Sequence, residues 1–584
     1  MHARKSHNLA VLDEGRYSNI VRRTSSGRDS QGKSWRVMTI GSQFVEELSH
    51  ALSLMRVSDG FAMLDKAEGA WTQLSPDQPN ATKLLLLIAQ WVDVGYRDYH
   101  LLDSLLAKVP IECRRKLSVE DYLRLRMVEG FRALSAEEVD AAIEILDVVL
   151  RTEPGTADDH MLTVAHFWKG RAHRKKGEYE LATQEIVCAR ERAQISHEDA
   201  VFTSVIQIHE SWLLFQKGMK KDALRLLSRA EDTLKNTDHF LARGNIESSR
   251  GRIVRRYGEY ALALEHFERA IDLYSAGNPK HRNLARALVN SAYVKRLLAL
   301  QLRKRIDARA RNINQERFNS QLSNGSATNA LRSRYRQLSD QAISEVRRAR
   351  EIYASHGHSG GLGAVAVSSG YLHLDGGDID VSAREALEAY RIGQDKNDHI
   401  LMARARVLQA ATENAKIEEQ LGEEVDIALH ANRARQFTEE ALRLAKHTQN
   451  RRLLAAAYVA RAMTAANEFF QEWDLARDSV REAMAFIGEG ESDHLLDDIA
   501  ALKTRIMRAS GINDTLRGWS EGIIAGKTFQ QVTEEFAEIV IPKVWQREGR
   551  KVSRVAESLS VSPKKVRRIL RRVGILDNTD STQL

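Results

Sequence analysis

Small and apolar residues recur at a fixed spacing along the middle of the chain. In residues 168–193 they follow one another at spacings of 7, 2, 3, 4 and 3 residues, and residues 248–275 repeat these spacings. The two sets are Gly170, Gly177, Tyr179, Ala182, Ile186 and Ala189, and Gly251, Gly258, Tyr260, Ala263, Phe267 and Ala270. Spacings of three and four place side chains on one helix face, and the second glycine of each set marks a turn. The pattern therefore predicts helical hairpins.

This pattern resembles the tetratricopeptide repeat (TPR), a helical hairpin of about 34 residues. The resemblance implies a superhelix, because one hairpin cannot bury its apolar face alone and stacked hairpins supply the core. Weaker copies of the pattern occur around residues 142–154, 218–230, 370–390 and 473–483. We therefore expect an all-α, TPR-like solenoid of roughly seven to nine hairpins between residues 36 and 511.

Several segments do not follow the repeat. Residues 303–337 form a basic, Asn- and Ser-rich insert, whose first half could prolong a helix and whose SNGSATN stretch is typical of a flexible loop. The insert fits a second nucleic-acid contact or a partner-binding arm, and also a solvated loop, which is the commoner role of basic loops. We expect residues 1–35 to be disordered, residues 512–527 to be a linker, and residues 577–584 to be a disordered tail.

Composition supports a helical protein of the cytoplasm. The 584 residues include only 7 prolines, and strand patterns are nearly absent. The two cysteines, Cys113 and Cys188, cannot support a disulfide framework or a cysteine metal site. The N-terminus lacks the apolar core of a signal peptide, and the most apolar run, which starts at Leu84, is interrupted at Asp93 and is too short to span a bilayer. We expect no membrane partner.

Positive charge is concentrated at the C-terminal end. Residues 541–575 contain eleven Lys or Arg residues and two Glu residues, a local charge of +9, so the remaining chain carries +8 − 9 = −1. A nearly neutral body with one basic end indicates that this end meets a polyanion.

The last predicted helix has one apolar and one cationic side. Ser562 is a good N-cap and Pro563 suits the first helical position. We expect a long helix over residues 529–546, kinked or split at Pro542, a short helix over 552–559, a three-residue turn, and then this helix. At about 100° per residue, the inward face of the last helix is formed by Val566, Ile569, Leu570 and Val573. Its outward face is formed by Lys564, Lys565, Arg567, Arg568, Arg571 and Arg572.

Residues 549–575 resemble the Fis-type helix-turn-helix of the nucleoid protein Fis and of many enhancer-dependent bacterial activators. The residues that carry this resemblance are Val552, Ser553, Arg554, Ala556, Leu559, Ser562, Arg568, Leu570, Arg572, Gly574 and Ile575. The resemblance implies a DNA-binding domain over residues 528–576, in which the second helix enters the major groove. It also implies a homodimer built by the long helix 529–546.

The resemblance assigns roles to the basic residues. Lys564, Arg568 and Arg571 are expected to contact base edges. The residues expected to hold phosphates are Lys551, Ser562, Lys565, Arg567 and Arg572. The chain departs from the family at Arg550 and Ser560, which occupy glycine positions, and at Pro563, which stands where the family often has a base-reading Arg. The last departure weakens the expectation of sequence specificity, but not that of DNA affinity.

Motifs for catalysis are absent from the sequence. It contains no Walker A loop, no HExxH, no GxSxG and no cysteine–histidine cluster, so we predict no enzyme activity, no metal and no cofactor. The expected function is that of a nucleoid-associated transcriptional regulator in bacteria, in which the TPR superhelix binds a protein or peptide and the C-terminus binds double-stranded DNA. The alternative is a non-enzymatic TPR scaffold whose basic C-terminus binds RNA or an acidic protein surface.

Overall fold

The computed structural model of the protein is almost entirely helical in the residues that it describes. These are residues 21–28, 34–73, 78–152, 158–195, 200–316, 325–419, 424–509, 519 and 526–576. None of the helices within these ranges is both long and apolar enough to cross a membrane.

A β-hairpin precedes the helices. Strands β1 (Val21–Arg28) and β2 (Ser34–Ile40) pair antiparallel, with Val21 opposite Ile40. They occupy part of segment 1–35, so the prediction of disorder does not hold for residues 21–28 and 34–35. The sequence of β1, VRRTSSGR, has a single apolar residue and therefore offers no alternating pattern to detect. Residues 1–20 and 29–33 lie outside the described residues.

Six helices of irregular length lead into the repeats. The helix α4 packs against α1 and also against the first regular hairpin, which joins this region to the solenoid. The six are α1 (Ser42–Ser53), α2 (Val57–Lys66), α3 (Glu68–Trp71), α4 (Ala81–Val94), α5 (His100–Leu106) and α6 (Ile111–Arg114).

Eight helical hairpins follow, and a helix α23 (His494–Ala509) packs against the last of them. In each hairpin the first helix is called helix A and the second helix B. The pairs are α7 (Val119–Ser135) and α8 (Val139–Leu150), α9 (Asp159–Lys176) and α10 (Tyr179–Ile195), α11 (Ala200–Gln216) and α12 (Lys220–Leu234), α13 (Phe240–Arg256) and α14 (Tyr260–Gly277), α15 (Arg282–Glu316) and α16 (Gly325–Ser355), α17 (Ser359–Gly376) and α18 (Ile379–Asp395), α19 (His399–Glu418) and α20 (Glu424–Lys446), and α21 (Arg451–Ala465) and α22 (Trp473–Ala485). The predicted TPR-like solenoid is confirmed.

Glycines at two repeat positions allow this packing. A Cβ atom on Gly170 would lie 2.8 Å from the Ile186 side chain of the same hairpin, so a larger residue would push helices A and B apart. At the turn, Gly258 has a φ of +78°, which a residue with a side chain adopts at a cost. The small residues detected in the sequence are thus explained by close helix contact and by the turn.

The basic insert lengthens one hairpin. The helices α15 and α16 contain 35 and 31 residues, against 18 or fewer in the preceding repeats. Residues 303–316 continue α15, as predicted, whereas α16 already begins at Gly325, so helix replaces the expected flexible loop over 325–329. Residues 317–324 lie outside the described residues.

Hairpins that are distant in the sequence contact each other through their turns. The backbone N–H of Gln449 donates to the carbonyl of Gly177 at 3.0 Å, and the N–H of Ser492 donates to the carbonyl of Arg256 at 3.1 Å. These bonds connect the second and fourth hairpins to the turns that precede α21 and α23. The superhelix therefore encloses space instead of remaining an open ribbon.

The C-terminal part forms a separate three-helix unit. Its helices are α24 (Phe529–Arg547), α25 (Val552–Ser558) and α26 (Pro563–Arg572), close to the predicted bounds. The helix α24 continues through Pro542, so the predicted split does not occur. Of the predicted linker 512–527, only residues 519, 526 and 527 are described, and the predicted tail 577–584 lies outside the described residues.

Candidate functional site

The three-helix unit is held together by a small apolar core. Three of the four residues of the predicted inward face of α26 are buried, and only Val573, which follows the last helical turn, is exposed. The core residues are Ala537, Ile541 and Val544 of α24, Val555 and Ala556 of α25, and Val566, Ile569 and Leu570 of α26. This core fixes which side of α26 faces the solvent.

The start of α26 has the predicted capping geometry. The hydroxyl of Ser562 accepts a hydrogen bond from the backbone N–H of Lys565 at 3.2 Å, and Pro563 occupies the first helical position. The cap satisfies one of the helix's unpaired backbone donors. It also places Lys564 and Lys565 in the first helical turn.

The predicted DNA-contacting side chains fall into two groups. Lys551, Lys564, Arg567 and Arg571 are exposed, and within the described part of the chain their side chains have no hydrogen bond or ion pair. Lys565 is half-buried and likewise makes no ion pair there. These cations carry a positive charge that the unit itself leaves uncompensated.

The second group is paired with helix α24. Arg568 and Arg572 contact the two carboxylate oxygens of Glu534 at 2.5 and 2.7 Å, and the Nε of Arg572 lies 2.9 Å from a carboxylate oxygen of Glu538. Attraction to Arg568 lowers the pKa of Glu534. The side of α26 that carries Arg568 and Arg572 therefore faces acidic residues of its own unit.

These pairs divide the cationic face of α26 into two sides. With 100° per residue, Arg571 and Arg567 lie about 20° and 60° to one side of Lys564, whereas Arg568 and Arg572 lie about 40° and 80° to the other side. The uncompensated charge is thus centred on Arg571. Sequence alone placed the cations around α26 but could not locate Glu534 beside them.

Two residues in the turns of the three-helix unit have a backbone conformation that glycine favours. Arg550 has a φ of +60° and Ser560 a φ of +51°, in the left-handed region that costs energy for residues with a Cβ atom. Gly549 also has a positive φ, of +65°. The turns before α25 and before α26 therefore each contain a non-glycine residue in the left-handed region.

One face of α24 is apolar and uncovered. Phe529 is 87% exposed and Phe536 is 48% exposed, while the adjacent face carries the core residues Ala537, Ile541 and Val544. Large apolar side chains that are grouped and exposed usually mark a contact surface.

A second candidate site lies inside the solenoid, where sequence reasoning had placed only a general partner groove. A cavity of about 820 Å³ is lined mainly by helices A of successive hairpins, together with α1 and α4. Eight Lys and Arg residues line it, together with the carboxylates of Glu46, Asp93 and Asp158. Six of the eight lie on α9, α13 and α15, and we call these six the cavity cations. They are Arg171, Arg174, Lys175, Arg252, Arg282 and Arg286.

Among the residues that the structure describes, only one cavity cation has a carboxylate partner. Arg171 pairs with Asp93 at 2.5 Å, whereas none of the other five has an ion pair with any residue that the structure describes. Their donors instead reach neutral acceptors: Lys175 donates to the Leu134 carbonyl at 3.1 Å, and Arg286 donates to the Asn245 side chain at 2.9 Å. Five of the six cavity cations thus lack an ion pair among the described residues, and their like charges repel one another.

Two further cavity cations also donate hydrogen bonds to neutral acceptors. Arg282 donates to the Ser135 carbonyl at 3.2 Å, and Arg252 donates to the Ser249 hydroxyl at 3.1 Å. The Nε atom of Arg174 is buried and makes no hydrogen bond within the described residues. A buried donor without a partner is rare in native structures and costs free energy.

The protein environment disfavours the charged forms of these side chains. Burial, followed by repulsion from Arg286 and Arg171, lowers the pKa of Arg174 to about 9. Burial also lowers the pKa of Lys175 to about 7, although the nearby Glu137 acts in the opposite direction. Perturbed groups of this kind, gathered in one cavity, are typical of binding sites.

The sequence does contain a signal for part of this site. When the two clear repeats are aligned, Gly170 is followed by Arg171, Arg174 and Lys175, and Gly251 is followed at the same offsets by Arg252, Arg255 and Arg256. A basic residue at a fixed place in helix A predicts charge on the concave surface. Arg282 and Arg286 have no such repeat position, so only the fold brings them to the cluster.

Comparisons with known proteins give structural neighbours and no family. No protein-family model and no curated protein matches the chain. Among solved structures, a Rap protein complexed with Competence and Sporulation Factor is similar at 13% identity and a TM-score of 0.45, covering 70% of this chain and 99% of that one. The apo form of the quorum sensor NprR from B. thuringiensis is similar at 14% identity and a TM-score of 0.37, covering 76% and 98%.

A third neighbour is a monomeric mutant of IFIT1 with Gppp-AAAA. It is similar at 12% identity and a TM-score of 0.41, covering 76% of this chain and 94% of that one.

Proposed function

We propose that the protein is a DNA-binding regulator whose C-terminal unit binds double-stranded DNA and whose solenoid binds a protein or peptide. The observation that carries this proposal is the exposed group Lys564, Arg567 and Arg571 on α26, which has no acidic partner within its unit. A second helix that presents such a face after a short turn fits the major groove.

The pairing with Glu534 refines the roles of the basic residues. Lys564, Arg567 and Arg571 are the residues that meet base edges or the phosphates next to them, because they need not break an ion pair first. Arg568 and Arg572 reach DNA by exchanging Glu534 for phosphate. Exposed ion pairs of this type contribute little energy, so this exchange is accessible. Lys551 and Lys565 remain phosphate contacts, and the Ser562 hydroxyl caps the helix.

The proposal includes a homodimer formed through α24. Exposed Phe529 and Phe536 lie next to the face that packs on α26, so a second copy would cover them without disturbing the core. A twofold dimer would place two α26 helices on one side for successive half-sites.

Substitution of Phe536 by Asp is expected to convert a dimer into a monomer in analytical ultracentrifugation. An unchanged mass distribution would remove the dimer from the proposal.

DNA binding is tested by fluorescence anisotropy with labelled duplex DNA across a salt series. The variant Arg567→Gln/Arg571→Gln should bind at least tenfold more weakly, since each good base contact is worth about 1–3 kcal/mol. A matched control is Arg477→Gln/Arg481→Gln on α22, which removes the same charge from exposed positions of the solenoid. The control should bind as the wild type does.

The scaffold alternative makes different predictions in the same assay. If the basic C-terminus serves RNA, single-stranded RNA binds more tightly than duplex DNA. If it serves an acidic protein surface, neither nucleic acid binds with a steep salt dependence. Removal of residues 528–584 should abolish duplex binding if our proposal is right, and equal binding by the truncated chain would refute it.

A further inference from the structure

The cavity cations are concentrated, and five of the six have no ion pair with a described residue, although Asp93, Asp98 and Glu137 attract Arg282 without contacting it. Arg174 is repelled by Arg286 and Arg171, and Arg252 is repelled by Arg286 and Arg174. Arg282 is repelled by Arg171. Because these side chains act on one another inside a partly dry space, the ligand-free protein carries an electrostatic cost. An anion that reaches several of them at once removes this cost.

We propose that the cavity binds a compact polyphosphate group, carried by a nucleotide or present as an inorganic polyphosphate. This inference goes beyond DNA binding and does not depend on it. Arginine forks contact phosphate oxygens in pairs, and the buried Nε of Arg174 has no hydrogen-bond partner among the described residues.

The charge distribution favours polyphosphate over an acidic peptide. In an extended peptide, side chains on one face recur about every 6–7 Å, whereas Arg174, Arg252 and Arg286 lie close enough to repel one another. Few carboxylates of one strand could therefore reach these three side chains together. Adjacent phosphates share a bridging oxygen and place several negative charges within the cluster. Five cations without an ion pair match such a ligand better than they match one carboxylate.

The size of the cavity and its wall leave room for an organic part. A cavity of about 820 Å³ exceeds the needs of a single phosphate and lies within the usual range for small-molecule ligands. Trp212 lines it next to the cations, and the guanidinium of Arg252 lies 4.1 Å from the centre of its ring. The aromatic ring in this wall offers a planar base an apolar contact beside the cations.

The test is isothermal titration calorimetry on the full-length protein with ATP, with inorganic triphosphate, and with a hexapeptide of alternating Asp and Glu. Binding of either phosphate compound, with the peptide at least tenfold weaker, supports the proposal. ATP and triphosphate are the two arms that separate a nucleotide from an inorganic source. Absence of binding by both, or tighter binding of the peptide, overturns it.

The variant Arg174→Gln distinguishes a binding role from a structural one. It should weaken triphosphate binding at least tenfold and, because it removes a repelled charge, raise the melting temperature of the ligand-free protein. The matched control Arg225→Gln removes a charge from the exposed side of α12 and should change neither value. Unchanged triphosphate binding by Arg174→Gln would refute the site. A second variant, Arg286→Gln, tests for a purely structural effect. If both variants bind triphosphate more weakly and both melt at a lower temperature than the wild type, the site is also refuted.

Discussion

Truncation of Ile569 tests whether the C-terminal unit stands on its own core. Ile569 is completely buried between α24 and α25, and replacement by alanine removes three carbon atoms from this core. The lost transfer free energy is roughly 2–3 kcal/mol at about 0.8 kcal/mol per buried carbon, and the cavity left behind adds to it. The observed range for such substitutions is about 2–5 kcal/mol.

This loss is large for so small a unit. A folded unit of about 50 residues has a free energy of unfolding of roughly 2–7 kcal/mol. A loss of about 3 kcal/mol therefore removes much of the free energy of unfolding of α24–α26. The stability of the solenoid should not change. The same change at Ile575 provides the control, since Ile575 is 41% exposed and lies beyond the end of α26.

Hydrogen exchange followed by mass spectrometry measures both parts of the chain in one experiment. In Ile569→Ala, protection of amides in residues 529–572 should fall roughly 100-fold, which corresponds to about 3 kcal/mol. Peptides from α9 to α15 should exchange as in the wild type, and Ile575→Ala should lose less than tenfold. Equal losses in both variants, or a loss that spreads into the solenoid, would show that the unit is not held by this core.

Three further predictions concern single positions. Gly244→Ala should lower the melting temperature of the solenoid, because its Cβ atom would lie 2.4 Å from the Tyr274 ring; an unchanged calorimetric transition would contradict this. Glu534→Gln should tighten duplex DNA binding and steepen its salt dependence, because it frees Arg568 and Arg572; weaker binding in the anisotropy assay would contradict it. Triphosphate affinity should fall as the pH rises above about 7, where free Lys175 becomes neutral, and calorimetry of Lys175→Met should lack this part of the pH dependence.

The solenoid could be predicted from the sequence because its signal is local and repeated. Each helix pair needs small residues where helix A meets helix B, as at Gly170, and a residue tolerant of positive φ at the turn, as at Gly258. Such requirements leave a mark within one repeat and return in the next. Strand β1 left no comparable mark, because it has only one apolar residue.

The candidate sites were harder to predict because they depend on contacts between distant segments. The charge of α26 is evident in the sequence, but its pairing with Glu534 requires the angle at which α24 crosses it. The cavity likewise joins Arg174 to Arg286, more than one hundred positions apart. Periodicity describes one helix at a time, whereas these contacts follow from the superhelical path of the whole chain.

The two basic sites differ in how their charge is balanced, and this difference argues for different ligands. On α26 the cations are exposed, and water and salt screen their repulsion, so they suit a large polyanion that arrives from solvent. In the cavity the cations are partly buried and repel one another more strongly, which suits a small anion that is enclosed on binding. The body without the C-terminal segment has a net charge of only −1, so its overall charge gives no indication of this interior cluster. A bound anion that neutralises the cavity cations would relieve the repulsion among α9, α13 and α15. Anion binding would therefore stabilise the stacking of the three hairpins to which these helices belong.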